Sequence, residues 1–234
     1  MDGYGLPCEA RTVFAQTLAQ DFHVECRRDA EDFVDGHSFD LGERTLTVVH
    51  LPGHTAGHCG LLVEPDGFFF VADIDLTSFG PFYGDLGSSL VDFEASIARC
   101  GSIKARWYAT FHQKGVITGA SDFRSRLHDY GNVILAREQR LLALLREPKT
   151  IGQIAEHRIV YRQQVDEPYV LPVERRTAEQ HVARSEAMIE RTLRRLQPLR
   201  DGIDRHGAWT AFASQRAGRS EEVRIFEEWS PHMI

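Results

Sequence analysis

Residues 48–60 of the chain read Val-Val-His-Leu-Pro-Gly-His-Thr-Ala-Gly-His-Cys-Gly. The β-branched and apolar residues 45–49 favour a buried strand, and Pro52-Gly53 favours a tight loop directly after it. His54 therefore follows the end of a strand. A strand fixes the backbone there while the loop leaves the imidazole free to face a cleft, so His54 is a candidate ligand.

The same arrangement of a strand followed by a ligand-type residue occurs twice more. Residues 68–72 are Phe-Phe-Phe-Val-Ala and precede Asp73, and residues 107–111 are Trp-Tyr-Ala-Thr-Phe and precede His112. Neutral imidazole suits zinc or iron, and a carboxylate can bridge two such ions. Because all three residues follow strands, we expect them to converge on one edge of a sheet.

These three segments, in this order, resemble successive motifs of the metallo-β-lactamase superfamily, in its glyoxalase II-like branch. The resemblance covers most of residues 1–130 and implies an α/β fold, the αββα sandwich. It also implies a two-metal centre, with zinc as the expected ion and iron or manganese as alternatives. In that centre His54 would bind the first metal, His112 the second, and Asp73 would bridge them as the candidate catalytic residue.

Four further residues are assigned to the surroundings of this centre. His58 is expected to hold the loop or a ligand through a hydrogen bond, and Asp75 to orient a ligand. Tyr83 and Lys114 are candidates for a substrate pocket by their position alone. Residues 77–89, which contain Tyr83, are rich in Gly, Pro, Ser and aromatic residues and follow Asp73 closely, which is typical of a pocket wall.

The first metal motif of the superfamily, His-x-His-x-Asp-His, does not occur in the 234 residues. Each metal would then keep two ligands, whereas a catalytic zinc has about three protein ligands and a water. The expectation is an empty site or a single weakly held ion. Residues 1–20 resemble the segment that follows this motif, which predicts a sandwich without its first strands. Met1 is then an internal start, a deliberate truncation or the result of a natural loss.

The composition indicates a globular protein with a small-molecule partner. Hydrophobic residues make up 42%, and 27 basic against 34 acidic residues give a net charge of −7. An acidic chain is a poor general nucleic-acid binder. No apolar run of about 18 residues and no signal peptide are found, which predicts a cytoplasmic protein without a membrane segment. The four cysteines are scattered, which favours reduced thiols.

Apolar spacing predicts helices over residues 9–21, 90–100, 132–146 and 179–196, and a short helix with Thr150 as its cap. Apolar runs on both sides of Pro65-Asp66-Gly67 predict a hairpin. The pattern changes near Gly131, so we predict a domain over 1–130 and a second region over 131–234. A helix, a short helix, a long helix and a possible strand pair over 203–212 resemble a winged-helix-like appendage. Phosphate contacts would come from Arg191, Arg194, Arg195 and Arg200, but the acidic charge disfavours DNA binding.

By resemblance, a complete member would be a metal-dependent hydrolase in which activated water attacks an ester, thioester or lactam carbonyl. The alternatives are a catalytically inactive binding or scaffold protein, an iron-dependent redox relative, and a DNA-binding regulator. Losing the first strands would expose a sheet edge, which predicts a homodimer.

Overall fold

The computed structural model describes residues 8–21, 23, 28–112, 114–161, 163, 165 and 167–205. The strands in this part of the chain are β1 (Ser38–Asp40), β2 (Thr45–His50), β3 (Cys59–Glu64), β4 (Phe68–Phe70), β5 (Trp107–Ala109) and β6 (Val116–Thr118). The helices are α1 (Cys8–Gln20), α2 (Leu90–Ser102), α3 (Ala120–Leu144), α4 (Ile151–His157) and α5 (Val170–Arg205).

The strands form one six-stranded sheet in the order β1-β2-β3-β4-β5-β6. Strands β1 to β4 are an antiparallel meander, in which Val48 faces Leu61 and Leu62 faces Phe69. Strand β5 lies parallel to β4, with Phe69 beside Tyr108, and β6 returns antiparallel to β5. A parallel pair requires a crossover connection, which α2 supplies.

The main hydrophobic core lies between the sheet and the helices α2 and α3. Helix α2 begins after Ser89, whose side chain accepts a hydrogen bond from the Asp92 N–H, and it buries Leu90 and Phe93. The Phe123 ring of α3 stacks on Tyr108 of β5, with ring centroids 3.9 Å apart. Phe69 of β4 and Tyr108 of β5 both belong to this core.

The described residues contain one sheet, whereas an αββα sandwich has two. All six strands belong to a single hydrogen-bonded sheet, so the described residues show one of the two sheets of the predicted sandwich. The mixed α/β character and the strands predicted before His54, Asp73 and His112 are confirmed.

A second, smaller core joins the end of α3 to α4 and the start of α5. Leu141, Ile154, Ile159 and Ala178 are its buried members. The predicted cap of the short helix is confirmed, because Thr150 accepts from the Gln153 N–H and the Gln153 side chain accepts from the Thr150 N–H. This reciprocal capping box satisfies two backbone donors at the start of α4.

The chain divides into two compact units after Arg184, at 1–184 and 185–234. The sequence suggested a boundary near residue 130, but α3 passes through that position without a break. Its residues on both sides, Leu127 and Ile134, pack in the same core cluster. The first compact unit therefore extends past residue 130 to Arg184.

Residues 185–205, the end of α5, are the described part of the second unit. Arg194 pairs with Glu190 at 2.6 Å, and the Nε of Arg191 donates to the Ala187 carbonyl at 3.4 Å. The side chains of Arg195 and Arg200, and residues 206–212 of the predicted wing, lie outside the described residues. Among the described helices, none combines the length and apolar character needed to cross a membrane.

Candidate functional site

Asp73 and His112 meet because the parallel pairing of β4 and β5 continues beyond the strands. The Val71 N–H donates to the Ala109 carbonyl at 2.8 Å, and the Phe111 N–H donates to the Ala72 carbonyl at 2.9 Å. The two chain segments therefore stay paired up to the residues that precede Asp73 and His112. Carboxyl ends of neighbouring parallel strands are a common place for ligand-binding residues.

The side chains of this pair are in direct contact. His112 Nε2 lies 3.1 Å from Asp73 Oδ1, and the side chains are 54% and 33% exposed. His112 has φ +61° and Ala72, which precedes Asp73, has φ +47°. Non-glycine residues seldom adopt this left-handed conformation, and it concentrates at functional sites.

The backbone of Asp73 is held on both sides. Its N–H donates to His58 Nε2 at 3.1 Å, and its carbonyl accepts from the Tyr130 hydroxyl at 3.3 Å. Both partners are buried, and burial raises the pKa of Tyr130 well above its usual value. Asp73 is thus fixed by the loop before β3 and by α3 as well as by its own strand.

His58 connects the loop after β2 to Asp73. The Leu51 carbonyl lies 2.7 Å from His58 Nδ1 and can only accept, so Nδ1 carries the proton. Nε2 accepts from the Asp73 N–H, so both nitrogens are occupied and the ring is neutral. Burial lowers the pKa of His58 accordingly. Asp73 Oδ2 lies 3.9 Å from Nε2, but a neutral ring makes no ion pair with it.

His54 lies in a loop that is anchored to α2 and the segment before it. The Ser96 and Ser88 hydroxyls donate to the carbonyls of Pro52 and His54, both at 2.6 Å. Gly53 has φ +130°, and a Cβ there would lie 2.3 Å from the Phe93 Cα. The Pro-Gly-His order therefore permits a close approach that a larger residue at 53 would block.

The orientation of His54 is set by the loop after Asp73. The Phe82 carbonyl lies 3.2 Å from His54 Nδ1 and can only accept, so Nδ1 carries the proton and Nε2 keeps a lone pair. The rings of His54 and His58 are 5.8 Å apart. A second hydrogen bond that fixes the tautomer in this way is typical of a histidine that binds a metal.

These residues do not complete a metal site. Within the described part of the chain, no three His, Cys, Asp or Glu side chains are grouped closely enough to hold an ion. Asp73 and His112 are the pair in direct contact, at 3.1 Å, and His112 Nε2 would have to lose its proton to bind an ion there. Two ligands are fewer than a catalytic zinc requires.

The remaining sequence-predicted residues lie elsewhere. The Asp75 carboxylate accepts from the N–H and hydroxyl of Thr77, both at 3.0 Å, and so stabilises its own loop. Tyr83 is buried in the core, and its hydroxyl lies 2.9 Å from His181 Nε2. A pocket wall was predicted for Tyr83, but the buried ring does not line one. Its large apolar ring favours this burial. Lys114 is exposed.

Sequence reasoning missed the residues that support the site through contacts with distant parts of the sequence. Tyr130 and Phe82 contact Asp73 and His54, yet they lie in a helix and a loop with no motif around them. Only the aromatic content of residues 77–89 gave a signal for Phe82.

No protein-family model matches the sequence, and no curated protein does. Solved structures do match. A metallo-β-lactamase family protein from Thermus thermophilus has 23% identity and a TM-score of 0.57, over 77% of this chain and 60% of that one. A β-lactamase domain protein from Burkholderia ambifaria has 19% identity and a TM-score of 0.55, over 77% and 55%.

This chain therefore spans less than two thirds of the length of either structure. The likeness covers 77% of this chain in both comparisons, at TM-scores above 0.5. The chain has the metallo-β-lactamase fold.

Proposed function

We propose that this chain is a hydrolase of the metallo-β-lactamase type, acting on a small ester, thioester or lactam, with His54, Asp73 and His112 as its candidate site residues. The observation that carries the proposal is the contact between His112 Nε2 and Asp73 Oδ1 at the ends of two parallel strands. Functional residues concentrate at such an edge, and the left-handed backbone of His112 supports the same interpretation.

The described residues do not supply a full set of ligands for a metal ion. Zinc, iron or manganese would be held by His112 and Asp73, but no third ligand joins them within the described residues. We therefore assign no step to a metal. What the chain's own groups can do is accept and orient protons.

His112 and His54 each donate a hydrogen bond through one ring nitrogen and keep the other nitrogen as an acceptor. Asp73 accepts from His112 Nε2–H, which leaves Nδ1 of a half-exposed ring as a proton acceptor. His54 donates through Nδ1 to Phe82 and keeps Nε2 as its acceptor. A neutral imidazole beside a carboxylate is suited to taking a proton from water or a substrate.

Aromatic rings lie near His54 and indicate which class of substrate could bind there. Phe82 lies 5.8 Å from His54, and Phe79 lies 6.5 Å from Phe82, measured between ring centroids. Phe79 also lies 5.5 Å from Tyr161. Substrates with a flat apolar group should pack on these rings.

The test measures hydrolysis of an aryl ester, an aryl thioester and a chromogenic β-lactam, together with zinc, iron and manganese content. We expect His54→Ala, Asp73→Asn and His112→Ala each to lower kcat/KM by about 100-fold or more. His128→Ala, at an exposed position of α3, is the control and should leave kcat/KM unchanged.

Two results would contradict the proposal. A chain that hydrolyses none of the three substrate classes, with or without added metal, would favour a binding or scaffold protein. Tightly bound iron without hydrolysis would favour a redox relative.

A further inference from the structure

Arg137 of α3 is a buried cation without a carboxylate partner in the described residues. Its side chain is 1% exposed, and it forms no salt bridge within the part of the chain that the structure describes. Its Nε has no hydrogen-bond partner there either. Burying an unpaired charge is costly, so the contacts that Arg137 does make must offset that cost.

Those contacts go to the loop that orients His54. Arg137 Nη2 donates to the Phe79 carbonyl at 2.7 Å, and Nη1 donates to the Pro81 carbonyl. The guanidinium carbon also lies 5.4 Å from the ring centroids of Phe79 and of Tyr83. A guanidinium is a rigid planar fork, so it fixes the separation and direction of the two carbonyls that it binds.

The next carbonyl along the loop is that of Phe82, which accepts from His54 Nδ1 at 3.2 Å. On its far side the loop is held by α5, because Gln180 Nε2 donates to the Tyr83 carbonyl. The peptide that faces His54 therefore lies between two clamped carbonyls. Gly80 adds a close contact, since a Cβ at this position would lie 2.4 Å from the Val133 side chain.

We propose that Arg137 is a positioning residue for His54. By clamping the carbonyls of Phe79 and Pro81, it directs the Phe82 carbonyl at His54 Nδ1 and so keeps Nε2 as the nitrogen with the lone pair. The importance of His54 rests on the proposed function, whereas its orientation by Arg137 rests on the hydrogen bonds alone.

The test is the tautomer of His54 in the full chain, observed at pH 8 by ¹H–¹⁵N correlation spectra of histidine-labelled protein. In the unmutated chain we expect the Nδ1–H form. In Arg137→Lys, which keeps the charge but loses the two-pronged donor, we expect a mixture of both tautomers. The His58 signals should stay unchanged in both, because Leu51 and Asp73 fix that ring.

Arg140→Lys is the matched control. Arg140 lies on the same helix, is exposed and donates to the Ala136 carbonyl, so this change should leave His54 in the Nδ1–H form. An unaltered His54 tautomer in folded Arg137→Lys would overturn the proposal.

A second measurement needs no variant and covers the case in which Arg137→Lys does not fold. In arginine-labelled unmutated protein, a clamped guanidinium gives separate Nη signals because rotation is slow. Averaged Nη signals from Arg137 would overturn the proposal.

Activity separates this inference from the proposed function. If the chain is a hydrolase, Arg137→Lys should lower kcat/KM by about 10- to 100-fold, as is usual for residues that orient a ligand. A tautomer change in a chain without hydrolysis would refute the proposed function and leave the role of Arg137 intact. Hydrolysis with no tautomer change would refute the role of Arg137 alone.

Discussion

At the scale of single residues, the candidate centre depends on hydrogen bonds that come from distant parts of the chain. Asp73 is held by His58 of the loop before β3 and by Tyr130 of α3. His54 is held by the Phe82 carbonyl. Such supporting contacts commonly decide how well a reactive group is oriented. Changes at Tyr130 should therefore act on Asp73 without touching a substrate.

His181 should make the chain sensitive to acid. Burial, assisted by Arg184 and Arg137 and opposed by Glu138, lowers its pKa from 6.5 to about 4. The unfolded chain takes up this proton below pH 6.5, whereas the folded chain does so only near pH 4, so stability is complete above pH 6.5 and falls as the pH drops. The loss should reach roughly 2 to 3 kcal/mol by about pH 4.5.

Urea unfolding at pH 7.5 and 4.5 tests this expectation, with His181→Gln as the variant. The variant keeps a polar partner for the Tyr83 hydroxyl but does not titrate. Its free energy of unfolding should fall less between the two pH values than that of the unmutated chain. Equal losses in both proteins would count against a neutral buried His181.

At the scale of elements, local sequence patterns such as turns, caps and apolar spacing predicted helices and strands well. The hairpin around residues 65–67 and α2 from Leu90 are confirmed, and so is the Thr150 cap. The first half of α3 and the short strand β6 were missed. Apolar residues in that half face β5 and α2, and this burial depends on tertiary packing that local spacing does not reveal.

The same limit applies to the candidate site. Residue type and position after a strand, together with the family resemblance, indicated His54, Asp73 and His112 as candidates, because this pattern is local in the sequence. Arg137 and Gln180 left no such signature, because their partners lie 56 and 97 positions away in the sequence. Long-range side-chain contacts to loop carbonyls follow from the fold alone.

The connection between α4 and α5 should depend on one carboxylate. Glu174 is fully buried and accepts from the N–H groups of Ile159, Val160 and Tyr161 at 2.7, 3.0 and 2.6 Å. Burial raises its pKa while these hydrogen bonds oppose the rise. Glu174→Gln removes an acceptor and places an NH₂ against backbone donors, so we expect a loss of about 2 to 4 kcal/mol in stability.

Chemical denaturation of the variant measures this loss. Glu179→Gln, on the same helix, is the control, since Glu179 is exposed and pairs with Arg175 at 2.9 Å. That change should cost less than about 0.5 kcal/mol. If the Glu174 and Glu179 variants were equally stable, Glu174 would not hold this connection.

At the scale of the whole molecule, the sheet has two open edges within the described residues, β1 and β6. All three residues of β1 are exposed, and apolar side chains surround it, among them Phe33, Phe39 and Leu41. An exposed apolar edge is a template for pairing with another chain. We therefore propose a homodimer formed through β1.

Light scattering coupled to size exclusion tests the dimer. Phe39→Lys, which places a charge on an edge residue that is 41% exposed, should convert the dimer to a monomer. Val116→Lys makes the same change on the opposite edge strand and should leave the dimer intact. A monomeric unmutated chain, or a dimer lost only in the Val116 variant, would refute pairing through β1.

The order of the strands also bears on how the chain folds. Strands β1 to β4 pair with their sequence neighbours, so each pairing closes only a short loop. Strand β5 can pair with β4 only when the connection formed by residues 71–106 closes. Closing a longer connection costs more entropy and slows folding. Asp73 and His112 meet at the end of this one pairing. A partly folded chain with the complete β1–β4 meander would therefore still lack the contact between Asp73 and His112. That contact requires the native pairing of β4 with β5.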